Sequence, residues 1–155
     1  MEERISRKGY ERLCRKYEEL EQKISNIQKA MQDSVRRDND LSENHELVEL
    51  RIQAMYTLPK EKETLLKRIH NCEIIEDTDL FKKFDGTTII PGVTVSCQID
   101  DELELFTILG DKESDMDEQI VSCIAPIAKA ILGRHINEIV DFNGTKIFIK
   151  SITKM

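Results

Sequence analysis

The chain has 155 residues, of which 34% are charged and 39% hydrophobic, with no Trp. That length suits one ordinary domain or two small ones, and the lean apolar content favours a globular part joined to an exposed helical part. Residues 1–76 hold 15 Lys/Arg against 16 Asp/Glu and residues 77–155 hold 8 against 14, which excludes the strong basic excess of a protein that binds nucleic acid unaided and points to a protein partner.

The N-terminus, Met1-Glu2-Glu3-Arg4, is followed by no apolar run, so no secretory leader is expected. No stretch approaches the ~20 apolar residues of a membrane span, and a cytoplasmic location follows. Ser6 is placed to cap a first helix. From there Leu13, Tyr17, Leu20, Ile24, Ile27 and Met31 repeat at spacings of four and three, the seam of a coiled coil. Charged residues fill the other faces. A polar run, Arg36 to Asp40, ends the pattern, and the seam resumes at Leu47, Leu50, Ala54 and Leu58, then at Leu65, Ile69 and Cys72. Two antiparallel helices of roughly 30 residues are predicted, each about 45 Å long. Pro59 falls inside the second. A proline there removes a backbone hydrogen bond and crowds the preceding turn, so a bend or irregularity is expected near Leu58-Pro59.

Beyond Glu76 the pattern shortens to that of strands: Thr88–Ile90, Val93–Ile99, Leu103–Leu109 and Lys146–Ile152, several alternating apolar with polar. Asp100-Asp101 and Asn143-Gly144 are turn signals. Ile124 to Gly133 reads as a short helix closed by glycine. The fold class is therefore α+β: a coiled-coil hairpin over 1–76 with its tip at 38–46, then a domain over 77–155 with an antiparallel sheet and one short helix. Cys14, Cys72, Cys97 and Cys123 lack the spacing of a metal or redox motif and are read as reduced, partly buried thiols.

Four segments carry a resemblance: Ser6-Arg7-Lys8-Gly9-Tyr10-Glu11-Arg12-Leu13, Asp40-Leu41-Ser42-Glu43-Asn44, Ile108–Asp115 and Ala125–Arg134. In this order, over nearly the whole chain, they are similar to the bacterial Gre transcript-cleavage factors, most of all to the GreA type. The resemblance implies an N-terminal coiled coil and an FKBP-like C-terminal domain that docks at the secondary channel of bacterial RNA polymerase. The coiled coil passes down the channel, and its acidic tip helps hold a Mg²⁺ ion shared with the polymerase active site. The polymerase then cleaves the 3′ end of backtracked RNA. On this reading the protein is a monomeric accessory factor, not an enzyme, with no tightly bound cofactor, no membrane and only indirect contact with the nascent RNA 3′ end.

The resemblance assigns Asp40 and Glu43 as the catalytic acids and metal ligands, with Ser42, Asn44 and Glu46 supporting the tip. Arg36, Arg37 and Arg51 are placed to contact RNA or channel walls, and Ala125-Pro126-Ile127 to hold the polymerase. Each reading has a plainer counterpart. Asp40 followed by Glu43 also fits a capping box, the arginines fit a solvated helix face, and Ala125-Pro126 fits an ordinary entry into a helix. Asn39, Leu47, Pro59 and Ala125 depart from the family pattern. An alternative function is a channel-binding regulator or inhibitor that stimulates no cleavage. A prolyl isomerase is disfavoured by the absence of Trp and Tyr from residues 77–155.

Overall fold

A computed structural model describes residues 2–37 and 45–155; the side chains of 34–37 and 45–47 lie outside the description. The chain divides into two units, residues 1–10 with 72–155, and residues 11–71.

The helical unit contains most of α1 (Arg7–Arg37) and a second arm made of α2 (His45–Ile52), a π-helical turn (Gln53–Thr57) and α3 (Leu58–Asn71). Ile27, Ala54 and Leu58 are buried together, with Leu20, Ile24, Met31 and Leu50 packed around them. These are the seam residues, brought together because a stripe repeating every 3.5 residues must be covered by a second helix. Lys62 lies 5.2 Å from the Tyr17 ring centre and 3.7 Å from Glu21, whereas Ile27 meets Ala54 and Leu58. Low numbers on α1 thus face high numbers on the second arm, and the arms are antiparallel.

The irregularity expected at Pro59 is present as the π-turn just before it. Leu50, Ala54 and Leu58 are spaced by four and four where a heptad seam needs four and three. A π-turn absorbs one extra residue, so Ala54 and Leu58 both reach the seam. Pro59 then falls just after the π-turn, as the second residue of α3.

In the other unit, β1 (Glu3–Ile5) pairs in parallel with β2 (Cys72–Ile74). A single 3₁₀ turn (Ile75–Asp77) and the short α4 (Asp79–Lys82) lead to a five-stranded sheet. Its strands are β3 (Val93–Ile99), β4 (Glu102–Leu109), β5 (Ile120–Ser122), β6 (Ile139–Phe142) and β7 (Thr145–Lys154), in the order β5-β4-β3-β7-β6. One short helix, α5 (Pro126–Ile131), buries Ala128 and Ile131 with Val93, Val95, Cys97, Ile108, Ile147 and Ile149. Both two-residue turns form as expected, with positive φ at Asp100, Asp101, Asn143 and Gly144, the backbone a type I′ hairpin requires.

Three details differ from the sequence expectations. The sheet is not wholly antiparallel, because β5 runs parallel to β4. Thr88–Ile90 joins no strand of the sheet. Its Ile89 is buried and exchanges hydrogen bonds with Gly133 and Arg134, while Pro91 lacks an N–H and Gly92, at φ 97°, turns the chain into β3. Finally, residues 1–10 and 72–76 belong with the sheet unit instead of the hairpin, since the β1–β2 pairing draws both ends of the helical arms into it.

Candidate functional site

The two antiparallel arms are joined by residues 38–44. Asp40, Ser42, Glu43 and Asn44 lie outside the described residues. Arg36 and Arg37 form the last turn of α1 and Glu46 stands in the first turn of α2; their side chains are likewise outside the description. Arg51 is exposed in the last turn of α2. Among the described residues, no group of three or more His, Cys, Asp or Glu is placed to hold a metal ion.

The second candidate surface is Ala125-Pro126-Ile127. Ala125 sits in the N-cap position of α5 with extended backbone, and Pro126 occupies the first turn, where its fixed φ suits a helix start. Ala125 supplies no capping oxygen. The loop is held instead by Ser122, whose hydroxyl donates to the Asp111 carbonyl at 2.8 Å and accepts from the Ile124 N–H at 3.3 Å. Ala125 and Ile127 pack partly against the core. Pro126 and the neighbouring Ile124 are exposed, so the solvent-facing part of this segment is Ile124-Pro126. Sequence reasoning did not single out Ile124; an apolar residue just before a helix-opening proline was its only signal.

Two of the resembling segments, far apart in sequence, meet at one carboxylate. Glu113 accepts from the Ser6 N–H at 2.6 Å, the Ser6 hydroxyl at 2.5 Å and the Gly110 N–H at 2.9 Å. The Ser6 oxygen in turn accepts from the Gly9 N–H at 3.1 Å, capping α1 as expected. A Cβ on Gly9 would lie 2.6 Å from a Glu113 oxygen, and one on Gly110 would lie 2.0 Å from the Arg4 carbonyl oxygen. Gly110 is thus required by the close approach of backbone, whereas a Cβ on Gly9 would have to displace the Glu113 and Ile5 side chains. Nearby, the Arg7 N–H donates to both oxygens of Glu76 at 3.0 and 3.1 Å, and the Arg7 side chain pairs with Asp77. The first turn of α1 is therefore fixed to the sheet unit by Glu113 and Glu76. The Cys123 thiol donates to Asp111 at 3.0 Å, and burial together with that hydrogen bond pushes it up to about 12. It is a packed structural thiol, not a nucleophile.

Residues 85–154 match the family described as transcription elongation factor GreA/GreB, C-terminal. The transcription elongation factor GreA of Novosphingobium aromaticivorans is 32% identical over 134 residues, covering 84% of this chain and 79% of the relative. That of Thermotoga neapolitana is 31% identical over 137 residues, covering 88% and 85%. Among solved structures, GreA factor homolog 1 of Thermus thermophilus aligns over 99% of each chain at 18% identity with a TM-score of 0.43.

Proposed function

Because the chain belongs to the GreA/GreB family of transcription elongation factors, we propose that it enters the secondary channel of bacterial RNA polymerase and stimulates the polymerase's own cleavage of backtracked RNA. The observation that carries this reading is the antiparallel pairing of two helices whose connecting segment contains Asp40 and Glu43. A helix of α1's 31 residues spans about 45 Å at ~1.5 Å per residue, long enough to carry that segment into a partner. The sheet unit, through its exposed Ile124 and Pro126, is proposed to dock at the channel entrance, and Arg36, Arg37 and Arg51 to meet RNA phosphates or channel walls near the tip.

The donor set fits a shared Mg²⁺. This hard cation takes one or two carboxylates and fills its other positions with water or substrate oxygens. Asp40 and Glu43 supply two carboxylates, too few for a closed protein cage, so the remaining ligands would come from the polymerase. When bound, such an ion activates water and stabilises the leaving oxygen. Asp40 and Glu43 would orient it, while Ser42, Asn44 and Glu46 shape the turn that presents them. The protein alone would neither hold Mg²⁺ tightly nor cleave RNA. It would act as a monomer in the cytoplasm, where the polymerase works.

The test is an arrested, backtracked elongation complex given Mg²⁺ and this protein. Wild type should speed release of a 3′ RNA fragment. Asp40→Ala/Glu43→Ala should lose at least a hundredfold of that stimulation, about 2.7 kcal/mol of transition-state stabilisation, while still binding the polymerase. A double variant as active as wild type would remove the tip from the mechanism. Suppressed nucleotide addition with no fragment released would mark an antagonist instead.

A further inference from the structure

The second arm carries an apolar stripe on the side away from its seam. Val48, Ile52, Met55 and Tyr56 are 49, 50, 58 and 67% exposed, and their spacing of four, three and one sets them on one face along α2 and the π-turn. Leu50, Ala54 and Leu58 hold the opposite face against α1. An arm that is apolar on two sides asks for a neighbour on each. The outward residues of α1 are of another kind: Arg15, Lys16, Glu18 and Glu19 are exposed and charged. Between Val48 and Thr57 the only charges are Glu49 and Arg51, which are of opposite sign.

The size of the stripe narrows what can cover it. A second copy of this chain is disfavoured by area. Four such side chains, half to two-thirds exposed, offer roughly 400 Å² of surface, whereas a stable interface uses about 800 Å² on each partner. A patch of that size suffices when the partner encloses the arm and adds contacts on its other faces.

We propose that Val48, Ile52, Met55 and Tyr56 bind an aliphatic-lined wall of the protein that receives the arm. The inference rests on the functional reading above, with RNA polymerase as that protein. Met and Tyr suit such a surface: the thioether adapts its shape, and the phenol keeps its hydroxyl in water while burying its ring. An uncharged contact also resists salt that would weaken one made by surface ion pairs.

The test uses the full chain carrying Ile52→Gln/Met55→Gln/Tyr56→Gln, substitutions compatible with a helix at positions that contribute little to the seam. Affinity for the cognate elongation complex is measured by displacement of labelled wild type, and the cleavage rate is measured at saturating factor. The variant should bind at least tenfold more weakly, cleave at the wild-type rate once saturated, and melt at an unchanged temperature. Affinity within twofold of wild type overturns the proposal. So does a wild-type dimer in sedimentation that the variant dissolves, since a second copy would then be the occupant. Wild type that binds tightly without stimulating cleavage defeats the cleavage reading alone, and the stripe is then judged by affinity. Wild type that fails to bind polymerase defeats both.

Discussion

At Glu113, three donors converge on one carboxylate, and two of them come from the buried Ser6. Replacing Glu113 with Ala would strand these donors, and each buried donor left unmade costs about 1–3 kcal/mol. Glu113→Gln keeps one accepting oxygen and a group that can face the Ser6 hydroxyl, so its cost should be smaller. Gly110→Ala should rival Glu113→Ala, because the Arg4 carbonyl in its way is backbone, itself bonded to the Asp111 N–H at 3.0 Å. Gly9→Ala meets only side chains, Glu113 and Ile5, which can shift with less disruption than a backbone carbonyl. The expected order of urea midpoints is wild type, then Glu113→Gln and Gly9→Ala, then Glu113→Ala and Gly110→Ala. A Gly110→Ala protein as stable as wild type would show that the Arg4 carbonyl can withdraw to admit a methyl group. None of this was legible from the sequence. Its segments stand out only through resemblance, and their partners lie 107 residues apart, where no local periodicity reports contact.

Among the elements, those with a sustained period were readable. Six seam positions on α1 and the alternation of β3, β4 and β7 each repeat often enough to define a face. β1, β2 and β5 have three residues each, too few for alternation to show, and the parallel pairing of β5 with β4 depends on tertiary context. Pro59 was legible as a disturbance but not as a π-turn, since the cause is a counting mismatch upstream at Leu50, Ala54 and Leu58. That mismatch makes a prediction at this scale. Pro59→Ala alone should raise stability by well under the ~3 kcal/mol of a proline in a regular helix interior, because the π-turn just before Pro59 already departs from the α-helical hydrogen bonding that its ring would disrupt. Deleting Met55 as well should restore a four-three seam and convert the second arm to continuous α-helix. Backbone chemical shifts through 50–60 would report the change. A π-turn that survives the deletion would mean that something other than the extra residue maintains it.

For the whole molecule, the sequence suggests a cut after Glu76, yet the pairing of β1 with β2 and the bonds from Ser6 to Glu113 bind the first ten residues into the sheet unit. The chain therefore begins in the sheet unit, passes through the helical unit and re-enters the sheet unit, so that the N-terminal segment closes onto residues more than sixty positions later. Closing so long a loop is entropically costly and must be offset by the contacts made at closure. Removing residues 2–6 should release those contacts together. Amide exchange should quicken at Cys72–Ile74, which lose their strand partner, and at Gly110–Glu113, which lose Ser6 and Arg4. Net losses of about 2–3 kcal/mol at these sites correspond to exchange on the order of 30–150-fold faster. Amides of the α1 seam from Leu20 to Met31 should keep their protection, because their partners are Leu50, Ala54 and Leu58 within the helical unit. A uniform loss across both units would show that the N-terminal strand supports the molecule as one cooperative body. Unchanged exchange at Gly110–Glu113 would show that Glu113 holds its loop without Ser6.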